Sequence, residues 1–198
     1  MSKTWLAALA LCVGAVMAQP TTPTMRLRGT IEKIDPPTLV LKERNGETMT
    51  LALADNVTVS EVLPIDATAI QSGSFVGIAS LPAADGTLAA LEVLVFPESA
   101  RGTAEGHSAW DLQPGSQMTN ATVATIAPGA KGRTMTLRYK DGEKTIVVPE
   151  GVPVVTLKPG DRSLLVAGAK VIVTAQNRNG QATALRITAG RDGFQPPM

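Results

Sequence analysis

Short runs of alternating apolar and polar residues, separated by turn-forming residues, cover most of the chain after residue 24. Runs that are rich in Val, Ile, Leu and Thr and have a period of two are typical of β-strands with one buried face. The run RLRGTIEKI at 26–34 has this pattern, and an Asp-Pro-Pro sequence ends it. Runs 38–43 and 47–53 flank Asn45-Gly46, which is a strong β-hairpin signal. The pattern predicts an all-β chain.

The same order of landmarks occurs twice. An Asp141-Gly142 hairpin signal follows the Asn45-Gly46 signal after 96 residues. Three more pairs of similar segments have separations of 95, 95 and 94 residues: 56–59 with 151–154, 72–78 with 167–173, and 85–93 with 179–187. This nearly constant spacing indicates a tandem duplication. About six short strands in ~70 residues predict a small closed barrel of the OB type for each copy, with a sandwich as the alternative.

The first residues have the features of an export signal. Lys3 precedes an apolar run at 5–17, and small residues lead up to Ala18. A basic start, a short apolar core and a small-residue cleavage site predict a signal peptide at 1–18 and export to the periplasm. The alternative is a membrane anchor, but the apolar run is shorter than the ~20 residues that span a bilayer. We therefore expect no stable membrane insertion after cleavage.

Composition narrows the function classes further. The single cysteine, Cys12, lies in the predicted signal, so the exported chain has no thiol. Basic and acidic residues number 18 and 17, and removal of Lys3 makes them equal. A neutral chain lacks the basic surface that nucleic-acid binding requires. Arg26 and Arg28 alternate with Leu27 and are expected to face solvent. Aromatic residues make up 3% of the chain, so the cores must be aliphatic.

The candidate functional residues lie between the two copies, in the stretch PESARGTAEGHSAWDLQPGSQMTN at 97–120. It contains the only histidine, His107, and Trp110, the only tryptophan after residue 18. A long segment without regular structure is usually functional or disordered, and a tryptophan near His, Asp and Arg argues for order. We predict that Trp110 packs between the barrels. The candidate ligand or interface residues are Arg101, Glu105, His107, Trp110 and Asp111. The side chains of Arg101, Glu105, His107 and Asp111 are expected to satisfy one another and nearby backbone groups.

With RLRGTIEKID, Gly-Ser-Phe-Val-Gly-Ile and the Asp-Gly-Thr-Leu hairpin, the chain resembles exported bacterial proteins of unknown function that have tandem OB-like barrels and a central EGHxxWDL-type motif. The resemblance implies fold and compartment and supplies no catalytic residues. The predicted organisation is a signal at 1–18, a linker at 19–24, a first barrel at 25–97, an ordered segment at 98–118, a second barrel at 119–190 and a frayed tail at 191–198.

The sequence therefore predicts a non-enzymatic periplasmic binding or assembly module without a cofactor. Its partner would be an envelope protein or a small ligand. The alternative is a copper or zinc accessory protein that uses His107, Met118 and Glu105, because imidazole with thioether suits copper and imidazole with carboxylate suits zinc. One histidine without cysteine is an incomplete set for a structural zinc site. No nucleophile elbow, phosphate loop or dinucleotide motif is present to predict an enzyme.

Overall fold

A computed structural model describes residues 23–130 and 132–197. The predicted signal peptide at 1–18 and residues 19–22 of the predicted linker lie outside the described residues. Within the described ranges, no helix is long and apolar enough to cross a membrane.

The described residues form twelve β-strands and three 3-10 turns, so the predicted all-β fold is confirmed. The strands are β1 (Thr24–Asp35), β2 (Thr38–Glu43), β3 (Thr48–Pro64), β4 (Phe75–Pro82), β5 (Leu88–Val95), β6 (Gly106–Ala109), β7 (Gln117–Gly129), β8 (Gly132–Tyr139), β9 (Gly142–Val148), β10 (Val154–Pro159), β11 (Lys170–Arg178) and β12 (Gln181–Gly190). The 3-10 turns are Ala67–Ala69, Glu98–Ala100 and Arg162–Leu164. Both predicted hairpins are present, as β2 with β3 and β8 with β9.

Five strands close each of two barrels. In barrel A the order is β1-β2-β3-β12-β11, and β11 returns to pair with β1. In barrel B the order is β7-β8-β9-β5-β4, and β4 returns to pair with β7. Each barrel has one parallel contact, β3 with β12 and β9 with β5 respectively. This is the Greek-key order of an OB-type barrel, as the sequence predicts.

The barrels do not coincide with segments 25–97 and 119–190, so the predicted domain boundaries need correction. Barrel A takes its last two strands, β11 and β12, from the second copy, and barrel B takes β4 and β5 from the first copy. The 17-residue strand β3 carries the chain from barrel A to β10, and the chain then enters barrel B through 65–74. A strand that is exchanged between the copies pairs with the same kind of neighbours as it would within its own copy. The sequence pattern is therefore identical for the two arrangements.

The exchange is centred on the β3 and β10 pair. Val62 lies opposite Leu157 in this antiparallel pair, and these residues are equivalent positions of the two copies. On its other side β10 runs parallel to β5, just as the equivalent part of β3 runs parallel to β12. The two copies are thus related by an approximate two-fold axis at the centre of the molecule.

Three apolar clusters fill the molecule. Buried aliphatic residues of barrel A, including Ile31, Leu41 and Ile187, form the first cluster, and those of barrel B, including Ile78, Met135 and Ile146, form the second. The third cluster lies between the barrels and consists of Val62, Leu94, Val155, Phe96, Leu157 and Phe194. Few of these side chains are aromatic, as the composition predicts.

The tail is packed, which corrects the prediction of a frayed terminus for 191–198. Arg191 binds the 2% exposed carboxylate of Glu61 through two hydrogen bonds of 3.0 and 2.8 Å. Phe194 packs on the third apolar cluster, and Pro196 is buried. Residues 191–197 therefore cover part of the junction between the barrels.

Candidate functional site

A cavity of about 250 Å³ lies between the two barrels and is lined mainly by apolar side chains. Val62, Leu94, Val155 and Leu157 of the third cluster form its central surface. Barrel A, barrel B, the central segment 98–118 and the tail all contribute to its walls: Arg26, Ile172, Thr174, Arg186 and Thr188 from barrel A, Met118 and Asn120 from β7, Thr103, Ala104 and Trp110 from the segment, and Pro196 and Pro197 from the tail. The cavity exists only because the two barrels are held together.

Trp110 forms one wall of the cavity and contacts barrel A through Arg26. The guanidinium carbon of Arg26 lies 3.9 Å from the centroid of the indole ring. Such a cation–π contact contributes about 0.5–2 kcal/mol, depending on its exposure. The Trp110 amide donates to the Ser116 carbonyl at 2.8 Å, and the Ser116 hydroxyl donates to the Trp110 carbonyl at 2.9 Å. The 110–116 turn thereby fixes the tryptophan backbone.

Asp111, next to Trp110, also binds β1 of barrel A. Its Oδ1 atom accepts hydrogen bonds from Arg26 Nη1 at 2.9 Å and Arg28 Nη2 at 2.7 Å. Partial burial alone would raise the pKa of the Asp111 carboxyl, but the hydrogen bond from Arg28 and the charges of Arg26 and Arg28 outweigh it and lower the pKa. Asp111 is therefore a charged partner for both arginines at neutral pH. Together, Trp110 and Asp111 attach the central segment to barrel A.

The other side of the segment is attached to barrel B through Asn120. Its Nδ2 atom donates to the carbonyls of Thr103 and Ala104 at 3.3 and 3.2 Å, next to the cavity. Ala104 has a φ of 47°, which is uncommon for a residue other than glycine. Gly77 makes room for this contact, because a Cβ atom there would lie 2.6 Å from Asn120 Oδ1. The loop that lines the cavity is thus held in a specific conformation.

Arg101 anchors the start of the segment to barrel B. Its Nη2 atom donates to the Gly73 carbonyl and to Glu98 Oε2, both at 2.8 Å. The side-chain hydrogen bond from Arg101 lowers the pKa of Glu98. Arg101 thus binds a backbone carbonyl, as predicted. The predicted pairing of Arg101, Glu105, His107 and Asp111 with one another is wrong for Arg101 and Asp111, which bind Glu98 and the β1 arginines instead. Asp111 is 85 and 83 residues away from Arg26 and Arg28, so the sequence could not reveal that pairing, whereas Glu98 is only three residues from Arg101.

His107 lies on the other side of the segment from the cavity. It pairs with Thr119 in the β6 and β7 register, and its Nδ1 atom is 2.8 Å from Thr119 Oγ1. Burial, followed by the charge of Lys144, lowers the pKa of His107, which favours the neutral ring at neutral pH. His107 and Glu105 line a separate, open recess together with Tyr139 and Asp141.

The predicted metal ligands are not brought together as one set. Met118 follows the strand register opposite Ser108, one residue away from the His107 and Thr119 pair. Because neighbouring residues of a strand point to opposite faces, Met118 faces the inter-barrel cavity while His107 faces the recess beside Tyr139. Within the described ranges, no group of three or more histidine and carboxylate side chains could hold a metal ion.

Glu92 is a buried carboxyl group beside the cavity. It lies on β5 in register with Ala79, which in turn pairs with the cavity residue Met118. Only 1% of the Glu92 surface is exposed. Neither carboxylate oxygen has a hydrogen-bond partner among the described residues. Burial raises the pKa of Glu92 to about 8, although the charges of Arg28 and Arg44 from barrel A act in the opposite direction.

Sequence reasoning found Trp110 and Asp111 but missed Arg26, Arg186 and Glu92. The alternation of Arg26 with Leu27 correctly places the arginine outside barrel A, but that outer face meets Trp110. Glu92 interrupts the apolar run LAALEVLV, and such an isolated acid was an available signal of a special environment. The position of Arg186 depends on the strand exchange, for which the sequence has no local signal.

A larger recess, of about 680 Å³, lies at an end of barrel B near Ile126 and Val152. Loop residues form much of its wall, and its arginine, Arg133, already donates to the Ala67 carbonyl at 2.8 Å. The cavity between the barrels combines an apolar surface, an aromatic ring and two arginines, so we take it as the candidate site. Comparison with family models, curated proteins and solved structures finds no match to this chain.

Proposed function

We propose that this chain is a non-enzymatic binding module of the periplasm and that the cavity between its barrels is the ligand site. The observation that carries the proposal is an apolar cavity of about 250 Å³ with Trp110 in its wall. Concave sites with apolar and aromatic walls and a few polar groups are characteristic of small-molecule binding. The export features of residues 1–18 support the compartment.

The size of the cavity favours a small ligand over a protein partner. An apolar cavity of ~150 Å³ is already large enough to bind benzene. Drug-sized ligands occupy pockets of about 300–1,000 Å³, so the present cavity suits a molecule below that size. A folded envelope protein would instead need an extended surface of roughly 800 Å² on each partner.

The proposal also explains why the central segment is ordered. Trp110 and Asp111 bind barrel A, whereas Arg101 and Asn120 connect the same segment to barrel B. These contacts fix both walls of the cavity before a ligand arrives. Preorganisation of this kind reduces the entropy cost of binding.

Calorimetric titration of the chain lacking residues 1–18 with octan-1-ol tests the proposal. We expect saturable binding to one site, with a negative heat-capacity change from apolar burial. Thr188→Phe, which adds a ring to the cavity wall, should abolish binding, whereas Thr145→Phe on the exposed side of β9 should leave it unchanged. Circular dichroism would verify that both variants are folded. Absence of binding to the wild type, or equal binding to both variants, would contradict the proposed site.

A further inference from the structure

We infer that the cavity recognises a small amphipathic anion, with a flexible apolar body and a single carboxylate that pairs with Arg186. This inference rests on the proposed function and specifies its ligand class. The inference depends on the charged residues in the wall of the cavity. The proposed function, in contrast, depends on the volume and the apolar lining of the cavity.

Among the described residues, the charged side chains in the cavity wall are those of Arg26 and Arg186. No Asp or Glu side chain of the described residues lines it. Arg26 already shares Asp111 with Arg28 and stacks on Trp110. Arg186 has no ion pair or side-chain hydrogen bond within the described ranges and is exposed at the edge of the cavity. One guanidinium group is therefore available to an incoming anion.

Comparison of the two copies shows that the positive charge of Arg186 occurs in only one of them. Arg186 on β12 is the equivalent of Glu92 on β5. Glu92 is enclosed between the barrels and interacts with the charges of Arg28 and Arg44. The duplicated position is thus a buried carboxyl group in barrel B and an exposed cation at the cavity in barrel A. The site is accordingly polarised, with a positive end at Arg186.

The remainder of the wall determines the body of the ligand. Leu94, Val155, Leu157 and Ile172 present aliphatic surface, and the proline pair 196–197 closes one side. Burial of each methylene group in such a surface contributes about 0.8 kcal/mol. A short acyl chain can follow an aliphatic wall of this kind, and its carboxylate can reach the guanidinium at the edge. A ligand with several charges would leave all but one of them without a partner.

Octanoate and octan-1-ol form a matched pair of probes, because they share the apolar chain and differ in charge. Calorimetry at neutral pH, with octanoate below its micelle concentration, compares their affinities for the chain lacking residues 1–18. Charge-assisted hydrogen bonds are stronger than neutral ones, so we expect octanoate to bind about tenfold more tightly than octan-1-ol. Arg186→Gln should reduce octanoate binding to about the level of octan-1-ol, because the guanidinium that pairs with the carboxylate is removed.

Arg178→Gln is the control, because Arg178 is an exposed arginine at the end of β11, away from the cavity. It should retain the preference for octanoate. Equal binding of the two probes to the wild type, or an undiminished preference in Arg186→Gln, would overturn the inference while the proposed cavity site stands. Failure of both probes to bind would overturn both proposals.

Discussion

Substitution of the buried Glu92 by glutamine tests how the two barrels pack against each other. Glu92 belongs to barrel B, but the charges that act on it, Arg28 and Arg44, belong to barrel A. Burial raises its pKa from 4.5 to about 8, so the folded protein holds a proton that the unfolded chain releases above pH 4.5. The folded state is therefore destabilised as the pH rises from 4.5 towards 8.

The size of this effect follows from proton linkage. One proton bound only by the folded state gives a slope of about 1.4 kcal/mol per pH unit. Between about pH 5 and about pH 8 this amounts to roughly 3 kcal/mol. Glutamine has the shape of the protonated side chain and carries no charge. Glu92→Gln and the wild type should therefore be almost equally stable at the acidic end, and Glu92→Gln should be more stable by roughly 3 kcal/mol at the alkaline end.

Urea unfolding followed by circular dichroism at several pH values provides the assay. The lowered pKa of His107 destabilises the folded state as the pH falls below 6.5, but it acts on both proteins, so the difference between them isolates Glu92. Glu150→Gln, which changes an exposed carboxylate, is the control and should follow the wild type. Parallel stability curves for Glu92→Gln and the wild type would refute the enclosure of Glu92 between the barrels.

Three other perturbations test separate parts of the structure. Trp110→Ala should lower the free energy of unfolding by about 2–3 kcal/mol, and Trp110→Phe should lower it less because a ring remains beneath Arg26. If urea unfolding shows no loss of stability in either variant, the attachment of Trp110 to barrel A is contradicted. Separately expressed segments 23–97 and 98–197 should co-purify as a complex when combined, because each barrel contains strands of both; two folded fragments that ignore each other in gel filtration would contradict the exchange. Titration with copper or zinc should not give a change in Trp110 emission that saturates at one ion per chain, because His107 and Met118 face opposite sides of the strand pair. Uptake of one ion per chain that is lost in His107→Ala would instead support the metal hypothesis.

The strand content and the repeat were predictable because they depend on local patterns. Asn45-Gly46 between two alternating runs specifies a hairpin by itself, and Gly46 indeed has a φ of 92°. The equivalent hairpin at Asp141-Gly142 formed in the same way. Closure into small barrels followed from the spacing of the strands, although the sequence predicted about six strands for each copy and each barrel has five.

The route of the chain between the barrels was not predictable from these patterns. Strands β4 and β5 could close either barrel with the same face buried, so the apolar alternation carries no information about the choice. The contact of Arg26 and Arg28 with Asp111 spans more than 80 residues and depends on that choice. The site was predicted only where its residues were unusual in themselves, as Trp110 was, and missed where ordinary arginines acquire a role from the packing of two barrels.

The location of the ligand site is tested most directly by amide chemical shifts during titration with octan-1-ol. We expect the largest shifts to cluster at the junction of the barrels, at Leu94, Val155 and Thr188 and around Trp110. The recess at the end of barrel B is the natural competitor because it is larger. Shifts concentrated there, around Ile126 and Val152, with the junction unperturbed, would show that the ligand does not bind between the barrels.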